Sequence, residues 1–311
     1  MVIVTGMHRS GTTFIGKVLE ASNYYYYIHE PLNFQFGVEG VPCWYPFLDV
    51  EGQVNRELRV LLDSLYNMKL KFKVPLSKGL NKFFRYFVRS RGHLDYLKYK
   101  IFSLFKKREV LIKDPFLALS AAYLAHNYPD VKVIYIVRHP VAIYNSISRM
   151  KWKFDFSNIL QQSYLVENYA RDLVNLMSKR YLPLWEEVAL LWMVIYRVVY
   201  HHAKVLGTEK ALVIKHEDFS LSPFETIDAI FSFLGYERNS KVDSFIKENM
   251  FATSAKIDER RLHNFKRNAR EIAYAWRKRW KSEYDRILQL VGNEIKAFGY
   301  EDDKTNIGYN N

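Results

Sequence analysis

Short β-branched runs alternating with helical segments predict an α/β protein: a three-layer fold with a central parallel sheet of about five strands flanked by helices, plus helical insertions. Three observations carry this. Val2-Ile3-Val4-Thr5 is an apolar run that enters a glycine turn and then a helix. Val131 to Val137 is a second, stronger run of the same kind. The chain has 311 residues, 49% of them hydrophobic, which is enough for one large core.

In chain order, the first strand is Val2 to Thr5, and Thr12 to Ala21 has apolar residues at helical spacing. Tyr24 to His29 reads as a strand of β-forming tyrosines, ended by Glu30-Pro31, because a proline pushes the residue before it into an extended conformation. Residues 33–50, with Gly37, Gly40, Pro42 and Pro46, read as loop. Residues 51–108 read as a basic, mainly helical insertion, with a Lys-Leu-Lys-Phe-Lys run and Lys106-Lys107-Arg108. Val110 to Lys113 is a third strand, Leu117 to His126 a helix, Val131 to Val137 the fourth strand and Val141 to Met150 its helix. Residues 155–206 form a second helical insertion, broken near Pro183. Ala211 to Lys215 is the fifth strand, and the helix from Pro223 to Leu234 stops at Gly235. The rest to residue 300 is mostly helical and basic, and 301–311 is a polar tail. We expect one domain over 1–300, with 51–108 and 155–206 forming the acceptor region.

The formal charge of +13 points to an anionic partner: nucleic acid, an acidic glycan, a membrane surface or a phosphorylated nucleotide. The single cysteine, Cys43, allows no internal disulfide. The histidines, including His201-His202, lack ligand spacing, so no metal is expected. No stretch reaches the roughly 20 uninterrupted apolar residues of a membrane span.

Gly6-Met7-His8-Arg9-Ser10-Gly11-Thr12-Thr13 has the spacing G-x-x-x-x-G-T-T, the geometry of a P-loop. A loop between a buried strand and a helix start aims backbone N–H groups inward, and the helix dipole adds positive charge. Gly11 allows close approach, and Thr12 and Thr13 supply hydroxyl donors. A nucleoside-triphosphate loop carries Lys after its second glycine. Here that residue is Thr12, and the cation is Arg9 inside the loop. The pattern suits an anion with one phosphate and one sulfate better than a triphosphate.

A second anion site follows the fourth strand. Arg138 ends that strand and Ser146 comes eight residues later, about two helical turns on. In open parallel sheets, ligands bind beyond the carboxyl ends of the strands. Arg138 and Ser146 can therefore meet one phosphate.

These motifs resemble those of the sulfotransferases that use 3′-phosphoadenosine-5′-phosphosulfate. In that family a loop like Arg9-Ser10-Gly11-Thr12-Thr13 binds the 5′-phosphosulfate, and a strand-end Arg with a Ser eight residues later, here Arg138 and Ser146, binds the 3′-phosphate. Ile112-Lys113-Asp114-Pro115, Val213 to Phe219 with Pro223 to Gly235, and Trp276-Arg277 with Gly299-Tyr300 are similar to three further segments of the family. His139 stands where the family often has Asp. The cytosolic branch's loop Lys and its R-K-G segment are not visible, which favours the bacterial and Golgi-like carbohydrate or tyrosylprotein branches.

The resemblance implies the phosphosulfate as donor cosubstrate and an acceptor hydroxyl on an acidic glycan, a glycolipid or a peptide tyrosine. It implies neither metal nor nucleic acid. Glu30, in an E-P-L context like one in Golgi-type members, is the expected base. Arg9 would stabilise the transferring group and leaving phosphate. Lys113 either assists or forms a structural ion pair. His8 is a donor contact or the alternative base, and Trp276 and Arg277 would cover the adenine. Arg260, Arg261, Lys266, Arg267 and Arg270 would reach the 3′-phosphate or lie on a solvated face. A complete chain is expected in the cytoplasm, and a chain trimmed from a membrane-anchored form in the Golgi lumen. Two other readings are a P-loop small-molecule kinase using ATP and a basic nucleic-acid-binding protein.

Overall fold

The structure, a computed structural model, describes residues 1–73, 91–150, 152–251 and 281–300. Five parallel strands form one sheet: β1 (Val2–Thr5), β2 (Tyr25–His29), β3 (Glu109–Lys113), β4 (Lys132–Val137) and β5 (Ala211–Lys215), in the order β2-β3-β1-β4-β5. β1 is central and buried throughout, which is why it reads as an unbroken apolar run rather than an alternating one. β5 lies at an edge, and its Val213 is exposed.

Alternate residues of β1 face two cores. Val2 and Val4 pack with Ile15, Val18 and Leu19 of α1 (Thr12–Ala21), with Ile227 and Phe231 from a later helix, and with Val242. Ile3 packs on the other face. Helices on both faces make the three layers.

The crossovers follow the chain. Between β2 and β3 lie α2 (Arg56–Tyr66), capped by the Asn55 side chain accepting from Leu58 N, and α3 (Arg91–Phe102). After β3, Asp114 caps a 3₁₀ turn at Pro115–Leu119, and α4 (Ala121–Asn127) follows. The continuous helix expected from Leu117 is divided here because Ser120 has φ −141°, outside helical geometry. β4 leads into α5 (Pro140–Ser148). His139 caps α5, its Nδ1 accepting from Val141 N at 3.2 Å, so an imidazole does what a capping carboxylate does elsewhere.

Within 155–206, short helical turns precede one 23-residue helix, α6 (Leu184–Leu206). Pro183 in an extended conformation starts it. α6 is not peripheral: Trp192, Ile195 and Val199 are buried in the core beneath the sheet. After β5 come α7 (His216–Leu221), α8 (Pro223–Leu234) and α9 (Ser240–Met250). Gly235, at φ 79°, ends α8 in the left-handed conformation. α10 (Lys281–Val291) packs on α6. Among the described residues no helix is long and apolar enough to cross a membrane.

Candidate active site

All five strand ends that carry candidate residues point to one edge of the sheet. The loop after β1 is held from three sides. Gly6, at φ 148°, has no room for a side chain, since a Cβ would lie 2.2 Å from Ile136 O. The Tyr196 hydroxyl on α6 donates to Ile136 O at 2.9 Å and accepts from Met7 N at 3.3 Å. The Tyr45 hydroxyl accepts from His8 N at 2.9 Å. Ser10 N donates to Met7 O, which closes the turn.

The remaining donors are left for a ligand. Among the described residues the N–H groups of Gly11, Thr12 and Thr13 have no acceptor. They form the first turn of α1, where intrahelical acceptors do not exist, so the predicted anion nest is present in geometry. Gly11 sits at φ 103°, and a Cβ there would lie 3.0 Å from His216 Nδ1. His216, at the end of β5, therefore lies against the loop. Burial, and after it the Arg138 charge, hold its imidazole well below the usual range, so it is neutral. Sequence reading missed His216. Its signals were its place directly after a strand and within the Val213 to Phe219 segment.

The two predicted phosphate motifs meet. Arg9, at φ 71°, donates from Nε to Ser146 Oγ at 2.9 Å. Arg138 donates from Nη1 to Arg9 O at 2.9 Å. Arg138 is in turn set by α6, whose Trp192 Nε1 donates to Arg138 O at 2.9 Å. Glu217 accepts from His139 N at 3.1 Å and from the Tyr300 hydroxyl at 2.6 Å, so the C-terminal Gly299-Tyr300 segment closes on the ends of β4 and β5. Burial raises the Glu217 carboxyl, with Tyr300 and Arg138 opposing that rise. Trp276, Arg277 and the basic residues Arg260, Arg261, Lys266, Arg267 and Arg270 lie outside the described residues.

Glu30 and Lys113 end neighbouring strands, His29 pairing with Lys113 in register. Lys113 is fully buried, and its Nζ donates to Glu30 Oε1 at 2.5 Å. Asn33 Nδ2 donates to the other oxygen at 3.1 Å. Burial opposes the Glu30 charge, but Lys113, His29 and Asn33 outweigh it and hold the carboxyl at about 2. Glu30 is not extended as expected before Pro31: it sits at φ 46°, a left-handed conformation that is strained for a residue with a side chain. Asp114 fixes that turn: Oδ2 accepts from Leu32 N at 2.5 Å and Oδ1 from Phe116 N at 2.9 Å.

His8 adjoins this pair. Its Nδ1 lies 2.7 Å from the Tyr45 hydroxyl. Among the described residues Nδ1 is the one acceptor within reach of this buried hydroxyl's proton, and that pairing is satisfied when Tyr45 donates to Nδ1. The neutral imidazole then carries its proton on Nε2. Burial, followed by the Arg9 charge, lowers the His8 pKa to about 4, so the ring is uncharged at neutral pH.

Arg9, Thr12, Thr13, His8 and Glu30 line one cavity of about 790 Å³. Residues from 33–45 and 152–161 complete its lining, with Phe34, Trp44, Trp152 and Phe154 as aromatic faces and Asn33, Gln35, Asn158 and Gln161 as amides. The two segments are stitched together. Asn158 Oδ1 accepts from Trp44 N at 3.0 Å, Gln162 Oε1 accepts from Phe47 N at 2.6 Å, and Glu187 accepts from Phe154 N.

A nest of three N–H donors, an arginine pair and a cavity-lining Glu30 backed by buried Lys113 form a setting suited to transfer of a small anionic group. Residues 2–240 match the family described as the Sulfotransferase family. The chain belongs to the sulfotransferases.

Several solved structures are similar to this chain at low identity. The sulfotransferase domain from the curacin biosynthetic pathway is 17% identical, with TM-score 0.49, over 93% of this chain and 96% of that one. The sulfotransferase domain of the Synechococcus PCC 7002 olefin synthase is 15% identical, with TM-score 0.47, over 97% and 95%. Mouse sulfotransferase SULT7A1, solved in complex with PAP, is 12% identical, with TM-score 0.41, over 96% and 86%. No curated protein matches.

Proposed function

We propose that this sulfotransferase moves the sulfuryl group from 3′-phosphoadenosine-5′-phosphosulfate to a carbohydrate hydroxyl, with Glu30 as general base. The observation that carries the reading is the shared cavity. The start of α1 and Glu30 line it together with aromatic faces and side-chain amides. Aromatic rings suit the apolar faces of a sugar, and amides suit its hydroxyls, each offering both a donor and an acceptor.

The residues divide the work. Gly11, Thr12 and Thr13 N–H groups hold the 5′-phosphosulfate, and Arg9 faces the transferring group. Arg138 and Ser146 take the 3′-phosphate. Glu30 accepts the acceptor's proton as the new oxygen–sulfur bond forms and the bond from sulfur to the phosphate's bridging oxygen breaks. Once protonated, Glu30 releases its hold on Lys113. The buried ammonium is then free to stabilise negative charge on the departing bisphosphate. His8, with its proton on Nε2, donates to a sulfuryl oxygen rather than acting as base.

The test is sulfuryl transfer from labelled donor to a panel of mono- and disaccharides, a glycolipid headgroup, a phenol and a tyrosine peptide. A labelled sugar ester is expected. Label on the phenol or peptide alone overturns the carbohydrate reading. Calorimetry showing tighter binding of ATP than of 3′-phosphoadenosine 5′-phosphate overturns the donor.

A further inference from the structure

The far end of α3 carries a surface that sulfuryl transfer does not use. Leu97, Ile101 and Phe102 are exposed, and Leu104 and Phe105, in the turn that follows, are 80% and 83% exposed. Leu97, Ile101 and Leu104 to Phe105 recur at helical spacing, so they form one stripe rather than scattered contacts. Lys98, Lys100, Lys106 and Lys107 surround the stripe and are exposed. Among the described residues none of the four forms an ion pair. Of the acids nearest along the chain, Asp95 lies one turn before Lys98 without an ion pair to it, and Glu109 is engaged by the N-terminal ammonium at 3.6 Å and by the Tyr236 hydroxyl at 2.6 Å.

The outward orientation is fixed from behind. The Tyr96 hydroxyl donates to Met68 O at 2.7 Å, Tyr99 packs edge-on against Tyr26, and the Tyr26 hydroxyl donates to Lys106 O at 2.5 Å. α3 starts beside the cleft, where a Cβ on Gly92 would lie 2.2 Å from His29 O, and ends at the start of β3. Its 12 residues span about 18 Å, so the patch lies at the opposite end of the sheet from Glu30.

We propose that this patch docks the protein on an anionic lipid bilayer. Leu104, Phe105 and Ile101 enter the headgroup–acyl boundary, and the four lysines meet lipid phosphates and carboxylates. Charge selects this occupant. A second copy would bring the same lysines against each other on a chain of charge +13. A nucleic acid would satisfy the lysines but leave Leu104 and Ile101 facing a polyanion. Docking here leaves the cleft mouth at the other end of the sheet open.

The experiment is cosedimentation of the full chain with phosphatidylcholine vesicles, with and without phosphatidylserine. Binding is expected only with phosphatidylserine, and it falls with added salt. The double variant Leu104→Ser/Phe105→Ser should weaken binding by at least about tenfold. Lys106→Gln/Lys107→Gln should weaken it by about fivefold per lysine at low salt. Both variants should keep the parent melting temperature and the parent affinity for 3′-phosphoadenosine 5′-phosphate, since the altered side chains face solvent. Equal binding to both vesicle types, no binding, or a concentration-dependent dimer abolished by Leu104→Ser/Phe105→Ser would each overturn the proposal.

Discussion

Glu30 and His8 face the same cavity, and their hydrogen bonds assign them opposite proton roles. Glu30 is an acceptor at every pH above about 2, and His8 presents a donor at neutral pH because Tyr45 supplies the proton at Nδ1. Glu30→Gln should therefore lower kcat by about 10²–10⁴ without weakening bisphosphate binding in calorimetry. His8→Ala should lower kcat by about 10², the effect of a lost oxyanion donor. A larger loss in His8→Ala than in Glu30→Gln would exchange their roles. Asp114 behaves differently. Burial, followed by the Glu30 charge, raises its pKa from 3.8 to about 8, so it is largely protonated at neutral pH in the folded chain and ionised in the unfolded one. A raised folded value means that its stabilising contribution is complete below the unfolded pKa and is lost as pH rises toward 8. The unfolding free energy of Asp114→Asn, measured by denaturant titration, should rise relative to the parent between pH 4 and pH 8. A flat difference would mean that the Leu32 and Phe116 N–H groups keep Asp114 ionised.

At the scale of elements, the phosphate loop shows what sequence could and could not give. Strand, turn and helix were legible because β1 is a buried apolar run and Gly6 and Gly11 bracket a loop of fixed length. Thr12–Ala21, Ala211–Lys215 and Pro223–Leu234 appear with the expected bounds. What holds the loop was not legible, because its partners are far away in sequence: Tyr45, Tyr196 and His216 reach it only through the fold. Nor did spacing reveal that Arg9 and Ser146 touch, since they lie on different crossovers. Tyr196 offers a direct test. Its hydroxyl serves two backbone groups, Met7 N and Ile136 O, and Tyr196→Phe leaves both buried without that partner. Urea unfolding should show a loss of about 1–3 kcal/mol. Bisphosphate affinity should fall with it, because Met7 begins the loop that forms the nest. Unchanged affinity would mean that Gly6 and Tyr45 suffice to hold the loop.

Across the whole molecule, the site is a property of the sheet. Residues after β1, β2, β3, β4 and β5 reach one edge: Arg9, Glu30, Lys113, Arg138 and His216. In the order β2-β3-β1-β4-β5 the chain runs from β1 outward to β2, back to β3, and then past β1 to β4 and β5 on the other side, and the crevice opens where the direction reverses. A ligand that bridges these strand ends binds the folded sheet and has no counterpart in the unfolded chain. 3′-Phosphoadenosine 5′-phosphate at about 100 times its dissociation constant should therefore stabilise the protein by about 2.7 kcal/mol, seen as a rise of several degrees in melting temperature. Arg138→Ala should abolish most of that rise, because Arg138 holds Arg9 O and is the residue proposed to take the 3′-phosphate. Glu30→Gln should preserve the rise, because in the proposed mechanism its carboxylate acts on the acceptor and not on the bisphosphate. The comparison separates holding the donor from using it. If Glu30→Gln lost the thermal shift along with turnover, the Lys113–Glu30 pair would be part of the donor site, and its ion pair would have to be intact for the loop after β1 to bind.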